Sequence, residues 1–66
     1  MNNGAHLLGD GLYEYRGYYI ERLPQHGHQP VRWIYYSVNG DKAHGVICQN
    51  YKTAKQNIDM REEAEQ

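Results

Sequence analysis

The chain has 66 residues, which limits it to one small domain, and a chain of this length buries only about 60% of the surface that its unfolded form exposes. Seven Lys and Arg residues against eight Asp and Glu residues give a formal net charge of −1, so no global field attracts nucleic acid or an acidic membrane. One cysteine excludes an intrachain disulfide and fits a reducing compartment, and the start of the chain lacks the basic and apolar pattern of a signal peptide. We therefore expect a cytoplasmic protein with no membrane partner.

The first part of the chain predicts a lead-in followed by a strand. Residues 1–11 are rich in asparagine and glycine, which predicts a flexible N-terminal lead-in before a single domain over residues 12–66. From Leu12 the apolar and charged residues alternate, as in a half-buried strand. Gly17 interrupts the alternation, so we expect a bulge or kink there, with the better strand running from Tyr18 to Leu23.

The middle of the chain predicts two further strands. A loop over residues 24–30, with two prolines and a glycine, separates the first strand from the run VRWIYYSV at 31–38, which has the strongest strand propensity in the chain. Asn39 and Gly40 follow this central strand, and such a pair favours a type I′ hairpin turn. A third strand is then expected to start near Lys42 and to use residues 43–49.

The end of the chain predicts a helix. Asn50 is a good N-cap, because its side-chain oxygen can accept from the free N–H groups of the first turn. Tyr51, Ala54 and Ile58 then recur at helical spacing, and the helix is expected to run to about Ala64. The predicted fold is α+β, a three-stranded antiparallel meander with one C-terminal helix packed on one face of the sheet.

A two-layer fold of this kind leaves one sheet face uncovered. Alternation favours Ile34, Tyr36 and Val38 beneath the helix, together with Tyr18 and Ile20 of the first strand. The uncovered face would then carry aromatic and arginine side chains that are typical of interfaces. The predicted partner-binding residues are Tyr19, Arg22, Arg32, Trp33 and Tyr35. The inverted register, with Trp33 as the core anchor, is the alternative, because a shift of one residue exchanges the two faces.

The residue patterns do not favour catalysis or a cofactor. No glycine-rich phosphate loop precedes a helix, and Cys48 in an apolar strand is typical of a small buried residue. His26 and His28 form a His-x-His pair in the loop, but a structural zinc site needs four ligands, so solvated histidines are the favoured interpretation. We expect neither an enzyme nor a site for a cofactor or small-molecule substrate.

Several short motifs resemble small proteins encoded by phages and other mobile elements. They are Tyr15-Arg16-Gly17, the strand with Trp33, the turn Asn39-Gly40-Asp41 and the segment YKTAKQNID at 51–59. The order of elements also resembles the three-strand-plus-helix DNA-binding domains of plant AP2 factors and phage integrase arms, but this chain lacks their dense Arg and Lys on the sheet. The resemblance implies a mobile-element accessory or inhibitor protein.

Two functions follow as expectations. The first is a non-enzymatic protein that binds a partner protein or a second copy of itself through the uncovered sheet face. The alternative is a DNA- or RNA-binding module that uses the same face, because Arg16, Arg22 and Arg32 interleave with its aromatic residues.

Overall fold

A computed structural model of the protein describes residues 4–64. The chain forms a five-stranded antiparallel sheet and one C-terminal helix. The strands follow each other in the sheet in chain order, so the sheet is a simple meander. The elements are β1 (His6–Gly9), β2 (Leu12–Tyr15), β3 (Tyr18–Arg22), β4 (Trp33–Ser37), a 3₁₀ turn (Lys42–His44), β5 (Val46–Cys48) and α1 (Tyr51–Ala64). The α+β class, the antiparallel sheet and the C-terminal helix are confirmed, whereas the prediction of three strands is wrong.

The first additional strand lies within the predicted lead-in. β1 pairs antiparallel with β2, with His6 opposite Glu14 and Leu7 opposite Tyr13, and the register shifts between Leu7 and Gly9. The expectation of a lead-in over residues 1–11 is therefore corrected from His6 onward. Residues 1–3 lie outside the described part of the chain.

The second additional strand arises at Gly17. Instead of a bulge within one strand, Arg16 and Gly17 form a two-residue hairpin turn, and Tyr15 stands opposite Tyr18. Both turn residues have positive φ, 52° at Arg16 and 85° at Gly17, as a type I′ turn requires. Glycine adopts this conformation freely, whereas arginine adopts it at some cost.

The Asn39-Gly40 pair does not form the predicted hairpin turn. Neither residue has a positive φ, and the N–H of Gly40 donates to the carbonyl of Ser37. The turn is thus displaced by one residue, and the Ser37 hydroxyl accepts a bond from the Asn39 N–H, which stabilises this arrangement. The chain then passes through the 3₁₀ turn before it enters β5, which is shorter than the predicted third strand.

The helix agrees with its prediction. The Asn50 side chain accepts a hydrogen bond from the Thr53 N–H at 2.8 Å, so Asn50 is the N-cap. Ala54 and Ile58 are fully buried on the predicted apolar stripe, and Tyr51 packs beside them. No helix within residues 4–64 has the length and apolar character needed to cross a membrane.

The core lies between the helix and one face of the sheet. Ile20, Tyr35, Tyr15 and Cys48 are buried there, with Tyr13, Tyr18 and Trp33 packed around them. The favoured register of β4 is therefore wrong, because Trp33 and Tyr35, rather than Ile34 and Tyr36, lie on the helix side. The helix stripe offers a small residue, Ala54, at its centre, and the large rings of the sheet fill the remaining volume.

Candidate binding surface

The sheet face opposite the helix, called the open face here, is built from two rows of side chains. Residues opposite each other on antiparallel strands point to the same side, so the pairing of the strands defines the rows. The first row runs across β1 to β4 as His6, Glu14, Tyr19 and Tyr36. The second row runs across β2 to β5 as Leu12, Glu21, Ile34 and Ile47.

An aromatic pair occupies the centre of the first row. The rings of Tyr19 and Tyr36 lie 5.5 Å apart at a tilt of 57°, and both residues are half-buried. The Tyr36 hydroxyl donates to Oε1 of Glu21 at 3.3 Å. Burial, and then the nearby Glu21 carboxylate, raise the pKa of Tyr36 above its ordinary value of 10.0. The Tyr36 ring is therefore positioned by Glu21 and Tyr19, and both rings stay partly exposed.

One end of the open face is closed by the connection between β4 and β5. Nζ of Lys42 lies 3.1 Å from Oε2 of Glu21, which ties the 3₁₀ turn to the sheet. Gly45 passes so close to Ile34 that a Cβ there would lie 2.7 Å from the Ile34 side chain. Ile34 is consequently buried, as predicted, but beneath this connection and not beneath the helix.

The open face is acidic and apolar. Glu14 and Glu21 lie on it, Lys42 neutralises part of Glu21, and none of the described strands places an arginine there. Ile47 has 53% of its surface exposed at the end of the second row. The open face therefore combines exposed apolar surface with negative charge.

The structure does not bring the five predicted partner-binding residues together. Tyr19 lies on the open face, as expected. Trp33 contacts the rings of Tyr13 and Tyr51 on the helix side, with centroids 6.3 and 5.4 Å away. Tyr35 is only 5% exposed and belongs to the core. The predicted aromatic platform of Tyr19, Trp33 and Tyr35 is therefore wrong, because Tyr19 lies on the opposite side of the sheet from the other two.

The predicted arginines are also dispersed. Arg22 stands opposite Trp33, and its Nη2 lies 3.3 Å from Oδ1 of the exposed Asp10. Arg32 is exposed in the connection that precedes β4. The third arginine of the nucleic-acid alternative, Arg16, lies at the turn between β2 and β3. These positions do not form one basic patch on the open face.

Arg16 instead belongs to a polar junction between the sheet and the helix. Oδ1 of Asp59 accepts a hydrogen bond from the Tyr15 hydroxyl and another from Nη1 of Arg16, both at 2.7 Å. These two bonds hold the pKa of Asp59 below its usual value, and the bond from Tyr15 has the larger effect. The same bond raises the pKa of Tyr15. Nζ of Lys55 lies 4.9 Å from the Tyr15 ring centroid, in the range of a cation–π contact.

A groove of about 710 Å³ runs along this junction. Its walls mix acidic and basic groups whose principal charges, Arg16 and Asp59, already bind each other. It is lined by Gly4, His6, Glu14, Tyr15, Arg16, Asp59 and Glu63. No local sequence pattern indicates this junction, because Tyr15 and Arg16 lie more than forty residues from Asp59 along the chain.

Cys48 and the histidines show no reactive arrangement. Burial raises the pKa of the Cys48 thiol, against the smaller effect of Asn57, whose Nδ2 donates to Sγ at 3.6 Å. A raised pKa disfavours the thiolate that nucleophilic chemistry needs. His26 and His28 are exposed in the loop between β3 and β4. Within residues 4–64 no three His, Cys, Asp or Glu side chains are grouped so that they could hold a metal ion.

Comparisons with known proteins add no assignment. No family model, no curated protein and no solved structure matches the chain.

Proposed function

We propose that this chain is a non-enzymatic protein-binding domain that contacts its partner through the open face. The observation that supports the proposal is the Tyr19–Tyr36 pair at the centre of a sheet face that the helix leaves uncovered. Tyrosine is enriched at the energetic centres of interfaces, because it offers a large ring and a hydroxyl with few rotatable bonds.

Contacts within this face support the same function. The Tyr36 hydroxyl and Lys42 both bind Glu21, and these bonds restrain the three side chains before a partner arrives. Ordering them beforehand lowers the entropic cost of association. The partner is then a protein surface with an apolar centre, contacting Tyr19, Tyr36 and Ile47, and with a Lys or Arg placed opposite Glu14.

Charge favours a protein partner over nucleic acid. A sheet that binds DNA or RNA needs Lys or Arg directed at phosphates, whereas Glu14 and Glu21 on this face would repel them. Arg16 and Arg22 each bind a carboxylate of the chain itself, Asp59 and Asp10 respectively. An accessory or inhibitor role in a mobile element stays a prediction from the resemblance of the sequence.

The test compares the chain with a variant that combines Tyr19→Ala and Tyr36→Ala. Both proteins are used as bait in a lysate of the source organism, and any captured protein is purified and titrated by calorimetry. The double variant is expected to weaken binding by at least about 30-fold, the effect of losing one hot spot of about 2 kcal/mol. Met60→Ala is the control, because Met60 is 67% exposed on the helix, away from the open face.

Two results would contradict the proposal. One is a purified partner that binds the folded double variant as tightly as the native chain. The other is salt-sensitive binding of a 20-nucleotide DNA or RNA probe that Arg32→Ala weakens and the tyrosine substitutions leave unchanged, which would support the nucleic-acid alternative.

A further inference from the structure

Exposed apolar side chains concentrate at the two edges of the sheet. Five large hydrophobic residues are exposed within the described part of the chain, and four of them belong to the edge strands. Leu7 and Leu8 lie in β1, with 65% and 51% of their surfaces exposed, and Val46 and Ile47 lie in β5, with 41% and 53% exposed. An edge strand also has backbone N–H and C=O groups on its outer side that no strand of the sheet pairs.

The two edges differ in how well they are protected. Soluble proteins usually protect an edge by making the strand very short or by placing charges or proline in it. β5 has only three residues, and Cys48 at its end is buried. β1 has four residues, His-Leu-Leu-Gly, all exposed, with no proline and no formal charge when His6 is neutral. β1 is therefore the less protected edge.

We propose that β1 pairs antiparallel with β1 of a second copy of the chain. A two-fold axis perpendicular to the sheet would join the two five-stranded sheets edge to edge and keep both helices on the same side. Placing the axis at Leu7 sets the two Leu7 side chains opposite each other. They lie on the helix side of the sheet, because Leu7 is paired with Tyr13, which packs against the core there. His6 of each copy then faces Leu8 of the other.

The choice of a second copy follows from the composition of the strand. An uncharged strand with adjacent leucines is complementary to itself, so no like charges meet across the two-fold axis. The two-fold arrangement uses β1 of both molecules and closes the assembly. Pairing of β1 with β5 of another copy would instead leave a free β1 at one end and a free β5 at the other, so the same contact would repeat and extend into a chain of molecules.

The contact between two β1 strands is small. It involves one four-residue strand of each copy, with a register shift after Leu7, whereas stable complexes usually bury ~1,200 Å² or more. We expect a weak dimer, with a dissociation constant on the order of 100 μM. Of the open face this contact involves only His6 at the β1 edge, so Tyr19, Tyr36 and Ile47 stay accessible in both copies.

The experiment is sedimentation equilibrium of the full chain from about 10 μM to 1 mM. The native protein should approach twice its monomer mass at the upper end, and Leu7→Lys should raise the dissociation constant at least 10-fold by adding a charge at the axis. Ile47→Lys, the same change on the other edge, should leave the dissociation constant unchanged. Circular dichroism checks that both variants are folded, which the high exposure of Leu7 and Ile47 favours.

Three outcomes would overturn the edge-to-edge dimer. They are a native chain that stays monomeric at 1 mM, an equal loss of association in Leu7→Lys and Ile47→Lys, and a dimer that the Tyr19→Ala and Tyr36→Ala double variant dissociates. The last outcome would place the contact between copies on the open face. Amide hydrogen exchange at Leu7 and Leu8 gives a second measurement, since it should slow as the protein concentration rises.

Discussion

The two faces of the sheet are filled by different kinds of side chain. The helix side carries rings, and Tyr35 and Tyr15 are buried there around Ile20. The open face carries two carboxylates, Glu14 and Glu21, beside apolar residues, and its two tyrosines are half-buried. The difference shows that a helix with a narrow apolar stripe needs large rings from the sheet to complete the core, so the carboxylates of β2 and β3 are left to the open face.

The largest expected effect is on the free energy of unfolding, and it distinguishes core residues on the helix side from an exposed residue on the open face. Ile20→Ala and Ile58→Ala remove fully buried side chains and should each lower the free energy of unfolding by about 2–5 kcal/mol. Ile47→Ala on the open face should cost about 0.5 kcal/mol or less, because Ile47 is half-exposed. Urea denaturation followed by circular dichroism measures all three.

A loss of several kcal/mol is a large part of the total stability of a chain this small, so Ile20→Val serves as a milder variant. It should cost about 1 kcal/mol and still exceed the effect of Ile47→Ala. Equal losses at Ile20 and Ile47 would mean that the helix side is not the principal core.

A smaller loss of stability is expected from a substitution in the connection between β4 and β5, which closes one end of the open face. A Cβ at Gly45 would lie 2.7 Å from the Ile34 side chain and 2.9 Å from the carbonyl oxygen of Tyr35. Gly45→Ala should therefore lower the free energy of unfolding by about 1–3 kcal/mol, because backbone atoms cannot move aside easily. Gly40→Ala is the matched control, since its nearest new contact is 3.5 Å.

Gly40→Ala should be close to neutral or slightly stabilising, because alanine restricts the unfolded chain more than glycine does. If Gly45→Ala is equally neutral in the same urea titration, the connection does not pack on Ile34 as described, and the open face extends to that end of the sheet.

Much of the fold follows from local signals in the sequence. The N-cap at Asn50, the spacing of Ala54 and Ile58, and the alternation of Tyr18 with Ile20 each depend on neighbouring residues alone. They predicted the helix and β3 correctly. The four residues of β1 have no alternation, and their strand exists because β2 offers an edge to pair with. Nothing local could reveal that.

The sequence around Arg16 and Gly17 contains a sign of the hairpin between β2 and β3, but the same sign is also compatible with the predicted bulge. Tyr13 and Tyr15 share a face with Tyr18 and Ile20, so the alternation shifts by one residue across Arg16 and Gly17. A two-residue turn produces that shift, because its flanking residues stand opposite each other. Within a continuous strand the same shift suggests a bulge.

The candidate site was only partly predictable for a different reason. Alternation divides β4 into two sets of residues but does not say which set meets the helix. Tyr19 was placed correctly because Ile20, its neighbour, is an evident core residue. For β4 the choice depended on the volume left beside Ala54, a tertiary property, and so Trp33 and Tyr35 were assigned to the wrong face.

The smallest expected effect concerns the polar junction that borders the helix side. Tyr15→Phe removes the hydroxyl that donates to Asp59 and should cost about 1 kcal/mol at neutral pH. The pKa of Asp59 lies below its ordinary 3.8 in the folded chain, so the contribution of this carboxylate is present above that pH and is lost as the pH falls through the folded-state pKa. Asp59→Asn should therefore flatten the acid limb of the stability profile.

The dependence of stability on pH at alkaline pH tests Tyr15, the other partner of this hydrogen bond. Here stability is lost as the pH rises, whereas the contribution of Asp59 is lost as the pH falls. The pKa of Tyr15 is raised above its ordinary 10.0, so its contribution is present below pH 10 and is lost as the pH rises through the folded-state pKa. Tyr15→Phe should remove that loss, while Gly40→Ala, in the exposed turn after β4, should change neither limb. Urea midpoints from pH 2 to 11 measure both limbs. If Asp59→Asn loses stability at acidic pH in the same way as the native chain, the hydrogen bonds of the junction do not stabilise the packing of the helix on the sheet and are only a consequence of that packing.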